Sequence, residues 1–261
     1  MSSIAAHRRH PASIVLVLLL GLLVTGGLYA VLAPTSAGAA TGSTSDIKAG
    51  KQLFLANCAT CHGQDGNGRE SNPSLVGVGA ASVDFQVSSG RMPLAGPAVQ
   101  AMRDPSGSQF SPADISKLAA YVASLGAGPA IPSAKETSLG GNVAKGGELF
   151  RVNCAMCHNV NGAGGALTRG KYAPSVMPAT GRQIYEAMLT GPQSMPIFND
   201  ANISPQNKKD VIAYINDVKT APNQGGHSLG NLGPVTEGMF AWTIALGLFI
   251  GAAVWLGKKA A

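Results

Sequence analysis

A thirteen-residue string occurs twice in this 261-residue chain, 96 positions apart. Gly50-Lys51-Gln52-Leu53-Phe54-Leu55-Ala56-Asn57-Cys58-Ala59-Thr60-Cys61-His62 aligns with Gly146 to His158, and eight of the thirteen positions are identical. More landmarks follow in the same order. Asn72-Pro73-Ser74-Leu75 pairs with Ala173-Pro174-Ser175-Val176, and Gly90-Arg91-Met92-Pro93 pairs with Gly191 to Pro196 after a two-residue insertion. Ser111-Pro112 to Val122 then pairs with Ser204-Pro205 to Ile215. Landmarks that keep their order while the spacing drifts define two copies of one small domain whose loops differ.

Each copy reads as helical. Ser111 and Ser204 are N-cap residues with proline next, which starts a helix without wasting an amide. Ile115, Leu118, Ala119 and Val122 then fall on one face at helical spacing, as do Val211, Ile212, Ile215 and Val218. Another helix leads into each cysteine pair, carrying Leu53 and Phe54 in one copy and Leu149 and Phe150 in the other. Between the helices lie loops without strand alternation, so the expected class is all-α. The copies occupy residues 46–126 and 143–219, joined by 127–142. With 34 Gly, 16 Pro and only 5% aromatic residues, such domains lack enough large side chains to fill their own centres. Something other than side chains must fill them.

Cys58-Ala59-Thr60-Cys61-His62 and Cys154-Ala155-Met156-Cys157-His158 have the form of c-type haem attachment motifs. Two thiols three residues apart on a helical turn reach the two vinyl groups of one porphyrin and form thioethers. The adjacent histidine, His62 or His158, then meets the iron from the same side. A zinc site would want four ligands, yet all 4 cysteines are used in the motifs and the spare histidines are His7, His10 and His227. A thioredoxin-like pair would need a βαβ pattern, which is missing, and two close pairs do not make a disulfide framework. Methionine is the ligand left for the sixth position. Met92 and Met195 share a context, each followed by proline soon after a glycine, and are preferred over Met102, Met177 and Met188. Pro73 and Pro174 stand where a carbonyl could orient each histidine ring.

Two apolar runs flank the repeat. Ile14 to Leu32 and Gly238 to Leu256 are each nineteen uncharged residues, nearly enough to cross a hydrocarbon core of roughly 30 Å as a helix. Segment 1–33 is expected to stay as a transmembrane helix; the alternative is a signal peptide cleaved near Ala37-Gly38-Ala39. Residues 238–256 form the second expected span, with Gly247 and Gly251 as a GxxxG face and Trp255 as an interfacial anchor. Arg8-Arg9 before the first run and Lys258-Lys259 after the second place both ends in the cytoplasm and the repeat on the extracytoplasmic side of the cell membrane. At 12% charged residues, with no basic run or basic–aromatic stripe despite a net +6, the chain does not read as a nucleic-acid binder.

Taken together, the chain resembles the dihaem cytochrome c subunit of the actinobacterial cytochrome bc complex, the quinol–cytochrome c reductase. The resemblance runs through nearly all residues and includes Phe85-Gln86-Val87-Ser88-Ser89-Gly90-Arg91-Met92-Pro93, Gly170-Lys171-Tyr172-Ala173-Pro174 and Met188 to Pro196. It implies two class I cytochrome c domains flanked by transmembrane helices. Two haem c groups would be attached through Cys58, Cys61, Cys154 and Cys157, with His62, Met92, His158 and Met195 as axial iron ligands. It further implies a redox subunit that carries electrons rather than oxidising quinol itself. The partners would be cytochrome b and a Rieske iron–sulfur protein, with delivery to a haem–copper oxidase in a supercomplex. In residues 46–126 six acids balance six Lys/Arg, whereas 143–219 carry five acids against eight. A carrier fixed by anchors has no need of a strong steering field. Competing classes are a dihaem peroxidase or dehydrogenase, which needs an open iron position, and a dihaem subunit of a terminal oxidase.

Overall fold

The computed structural model describes residues 11–32, 42–70, 72–96, 98–221, 229 and 234–260. The basic residues before the first run, the Ala37-Gly38-Ala39 string, and His7, His10 and His227 lie outside that set. Helix α1 (Pro11–Leu32) is a unit by itself. Its large apolar side chains are exposed, and it is long and apolar enough to cross a membrane.

The first repeat folds as α2 (Thr44–Asn57), α3 (Ala59–His62), α4 (Gly79–Ser88) and α5 (Pro112–Leu125). The second folds as α6 (Val143–Asn153), α7 (Ala155–His158), α8 (Gly181–Thr190) and α9 (Pro205–Thr220). Helix α10 (Pro234–Ala260) closes the chain, also exposed and of spanning length, with Lys259 Nζ 4.4 Å from the centre of the Trp255 ring. The protein is all-α apart from a two-residue antiparallel pair, β1 (Gly165–Ala166) and β2 (Tyr172–Ala173), among the described residues. The loops showed no alternation because a pair this short needs none.

Local chemistry sets the helix starts. The Ser111 and Ser204 side chains accept from the amides of Asp114 and Asn207, each with proline at the first helical turn. Ser43 with Asp46, and Thr180 with Gln183, form reciprocal capping boxes. Helix α2 packs across α5, and α6 across α9. At each crossing sits the first glycine of the repeated string. A Cβ on Gly50 would collide with the Lys117 carbonyl, and one on Gly146 with the Asp210 carbonyl. Phe54 then meets Tyr121 at 5.1 Å between ring centres and Phe150 meets Tyr214 at 5.4 Å, both tilted. Two equivalent cores result: Phe54, Ile115, Leu118 and Val122 in one, Phe150, Ile184, Val211 and Ile215 in the other.

The two repeats touch through α4 and α8, which pack on each other. Arg182 Nη1 lies 3.6 Å from Asp84 Oδ2, and Gln183 Nε2 donates to Ser88 Oγ at 3.2 Å. Gln100 clasps the main chain of Tyr172, donating to its carbonyl at 2.7 Å and accepting from its amide at 3.0 Å. The connecting stretch is ordered as well: the Pro129 carbonyl accepts from the Ala81 amide, and Glu136 accepts from the Tyr185 hydroxyl.

Candidate haem-binding sites

Each cysteine pair sits where one helix ends and a single turn begins. Cys58 and Cys154 cap α2 and α6, and their carbonyls accept from the amides of Cys61 and His62, or of Cys157 and His158. Both thiols and the imidazole are thereby carried on one helical turn. From there the chain loops back over the ring. Gly68 N donates to the His62 carbonyl and Gly164 N to the His158 carbonyl, both at 2.8 Å. A Cβ on either glycine would press on the main chain around Pro73 or Pro174, so the loop can close this tightly only with glycine there.

That closure brings the proline carbonyls onto the histidines. His62 Nδ1 lies 2.9 Å from the Pro73 carbonyl, and His158 Nδ1 lies 2.8 Å from that of Pro174. A carbonyl can only accept, so Nδ1 carries the proton and the Nε2 lone pair is left free to bind a metal. The orienting role expected of the two prolines is thus matched in both copies.

In the second repeat Cys154, Cys157, His158 and Met195 surround one cavity of about 270 Å³. Its walls are mostly apolar, with Phe150, Ile184, Met188 and Val211 among them. In the first repeat Cys58 and Met92 both pack against the core formed around Phe54. The remaining methionines are placed otherwise. Met188 is a core residue, 2% exposed, on α8; Met102 is exposed and its sulfur accepts from the Tyr172 hydroxyl. Met177 packs on the second core without lining the cavity among the described residues.

Burial pushes the Cys58 and Cys154 thiols up to about 11, with a smaller contribution from the neighbouring Cys61 and Cys157. Both thiols are thereby held in the neutral form. Among the described residues no group of three or more His, Cys, Asp or Glu is placed to hold a metal ion. Burial also lowers His158, opposed by its bond to Pro174, which favours the neutral imidazole a metal needs. Two thiols, a pre-oriented imidazole and a thioether lining one mostly apolar cavity are a set of groups that would hold haem c.

The sequence did not reveal the contribution of the first repeat to the second cavity. Phe85, Arg91 and Gln100 line it. Burial, and then the charge of Arg103, pull the Arg91 guanidinium below its ordinary value. Glu186 was missed too: it is 0% exposed, and both carboxyl oxygens lack a hydrogen-bond partner among the described residues. A charged residue on the inward face of α8 was the available signal.

The chain is similar to known proteins over most of its length. Residues 47–126 match the family described as cytochrome c, and residues 141–215 match the family described as cytochrome c oxidase, cbb3-type, subunit III. These matches define a protein of the cytochrome c class, built from two such domains. The chain is 46% identical over 255 residues to the cytochrome bc1 complex cytochrome c subunit of Mycobacterium leprae, covering 94% of this chain and 87% of the relative. It is 43% identical over 270 residues to the Corynebacterium diphtheriae protein of that description, covering 96% and 95%. A cbb3-type cytochrome c oxidase subunit FixP from Azorhizobium caulinodans is 38% identical over 123 residues, 44% of this chain and 39% of the relative. The chain belongs to the family of cytochrome c subunits of the actinobacterial cytochrome bc1 complex.

Proposed function

We propose that this chain is a membrane-anchored dihaem electron carrier of a quinol-oxidising bc complex. In this reading residues 46–126 and 143–219 each hold one haem c, attached through Cys58 and Cys61 or through Cys154 and Cys157. His62 and Met92 ligate one iron, His158 and Met195 the other. The single observation that carries it is the doubled arrangement itself: two thiols on one turn beside a histidine whose Nδ1 is held by a proline carbonyl. Haem c bound there supplies a one-electron Fe(III)/Fe(II) couple.

The residues do the rest of the work. The proline carbonyls fix the imidazole tautomer and aim Nε2 at the iron position. Met92 and Met195 offer a thioether, which favours the reduced state relative to a second imidazole and so suits the high-potential end of a chain. The apolar walls keep water off the ring, and the α4–α8 contact holds the two sites within one body. Electrons enter from a Rieske iron–sulfur protein at the first domain and leave from the second toward a haem–copper oxidase held in the same supercomplex, with cytochrome b as the quinol-oxidising neighbour. Helices α1 and α10 anchor the chain with its domains on the extracytoplasmic side. Coverage of the bc1 relatives across nearly the whole chain, against under half for the oxidase subunit, favours this over the terminal-oxidase reading.

The test is purification in mild detergent, followed by haem quantitation, redox titration and identification of co-eluting subunits. Two covalent haems per chain, two one-electron steps, a far-red methionine–iron band of matching intensity, and co-elution with cytochrome b and the Rieske protein are expected. One haem per chain, or a haem that binds peroxide or carbon monoxide readily in the native complex, would defeat the reading.

A further inference from the structure

Arg91 belongs to the first domain, one residue before Met92, yet it lines the cavity of the second. It is 9% exposed, and its guanidinium carbon lies 4.8 Å from the centre of the Phe85 ring. Among the described residues its side chain makes no hydrogen bond and no ion pair. No Asp or Glu lines that cavity, and Arg91 is the one Lys or Arg among the described lining residues. A guanidinium this deeply buried and without a counter-charge is costly. Stacking on Phe85 offsets part of that cost but supplies no negative charge. The site is therefore built to receive an anion.

The approach direction narrows which anion. Cys154 and Cys157 stand on the α6–α7 side, whereas the first domain reaches the cavity where α4 packs on α8. Gln183 of α8 lines the cavity as well, but its carboxamide is already engaged by Arg103 and Ser88. Haem c carries two carboxylates, on the edge of the macrocycle remote from its thioethers, and a guanidinium fork matches a carboxylate better than any other side chain does. We propose that Arg91 of the first domain is the counter-ion of a propionate on the haem held by the second domain. This rests on the haem reading above and extends it: the second site is completed by a residue from its neighbour. The matching stretch of the second repeat carries Gln193 and Ser194 in place of this arginine, and Gln193 donates to the Ala101 carbonyl.

A fixed positive charge at the haem edge opposes the ferric state, so Arg91 raises the reduction potential of the second haem. The test is redox titration of the intact, purified protein in which Met195→His identifies the second haem's step. In Arg91→Gln the reduction equilibrium constant of that step should fall about tenfold, which is about 59 mV for one electron, with the first step moving less. Arg91→Lys should recover most of the fall. If Arg91→Gln does not assemble, Arg91→Met keeps the packing over Phe85 without the charge and should show the same fall. An unchanged second step, a larger shift of the first, or a Lys variant as low as the Gln variant overturns the assignment. One haem per chain in the unsubstituted protein would instead overturn the haem reading itself.

Discussion

The two repeats share a motif but not an environment. In both, a glycine lets the first helix cross the last, a phenylalanine meets a tyrosine at that crossing, and a proline carbonyl holds the histidine. Cys58 is half-buried and Cys61 exposed, whereas Cys154 is buried and Cys157 half-buried. The second cavity is closed partly by Phe85, Arg91 and Gln100 of the first domain. The second repeat also holds a fully buried lysine, Lys208, paired with Asp200 at 2.6 Å. Local sequence builds the same attachment turn twice. What differs is how each turn is enclosed, and that is decided by contacts between domains. Two sites of one chemistry can thus be given different stability and different electrostatics without touching their ligands.

Removing the filler should break the comparison most severely. Cys58→Ala and Cys154→Ala are each expected to leave one haem singly attached or missing, with loss of the helical fold in the affected domain. The aromatic-poor, glycine-rich repeats have too little core of their own to fold around an empty centre. Cys154→Ala should do more damage, because the second cavity also carries the docking of the first domain. Haem quantitation with limited proteolysis across both domains measures this. A protease-resistant, fully helical domain without haem would show that the side-chain core is sufficient.

Next in size is the axial ligand. Met92→His and Met195→His should each lower one potential while leaving covalent attachment intact, by a sizeable part of the roughly 0.8 V that axial ligands span. The two variants should differ in consequence. With electrons entering at the first domain and leaving from the second, as proposed above, lowering the second haem would leave electrons stranded on the first, and lowering the first would slow its own reduction. A variant whose redox titration matches the parent protein would exclude that methionine as the ligand.

Much of this was legible beforehand, and the reason is local. Cap residues Ser111 and Ser204, the cysteine–histidine turns and the orienting prolines act within a few residues of themselves, so their chemistry is written in short strings. The repeat then doubled each signal. Helix spans came out similarly, because nineteen uncharged residues leave little choice. What was hidden is the face between the repeats. Arg91, Gln100 and Glu186 stand out in neither string, and the main chain that Gln100 holds, at Tyr172, lies 72 positions away. Asp84 and Glu186 occupy the same position in α4 and α8, the sixth of each helix. That equivalence could have been noticed, but nothing in either string says the two helices meet.

The Asp84–Glu186 contact gives a smaller, pH-dependent effect. Burial first, then a shared proton and the charge of Asp84, push Glu186 from 4.5 up to about 10, with Arg182 opposing. As two carboxylates the pair has no hydrogen between them; a proton on Glu186 makes it a donor to Asp84. The folded protein therefore keeps a proton that the unfolded chain releases. The resulting stability is fully present below 4.5 and is lost as pH rises toward about 10, at no more than ~1.4 kcal/mol per pH unit. Glu186→Gln supplies a permanent donor and should flatten that slope, as read by denaturant unfolding across the same window. An unaltered slope would mean the proton is not held at Glu186.

The smallest expected effect isolates the docking of the domains from the chemistry of the sites. Gln100 satisfies both main-chain groups of Tyr172, two residues before the carbonyl that orients His158. Replacing it with alanine removes two neutral hydrogen bonds, worth about 1 kcal/mol each. Water can reach part of this contact, so the net loss should be nearer one such bond than two. Neither ligand set is touched, and Gln100 carries no charge, so both potentials should stay close to the parent values. Hydrogen exchange is the sensitive measure: the Tyr172 amide should exchange faster, and the amides of α3 in the first domain should not. If protection were lost across the whole second repeat, Gln100 would be holding the fold of that domain rather than its docking. The enclosure of the second site would then have to be counted as part of its core.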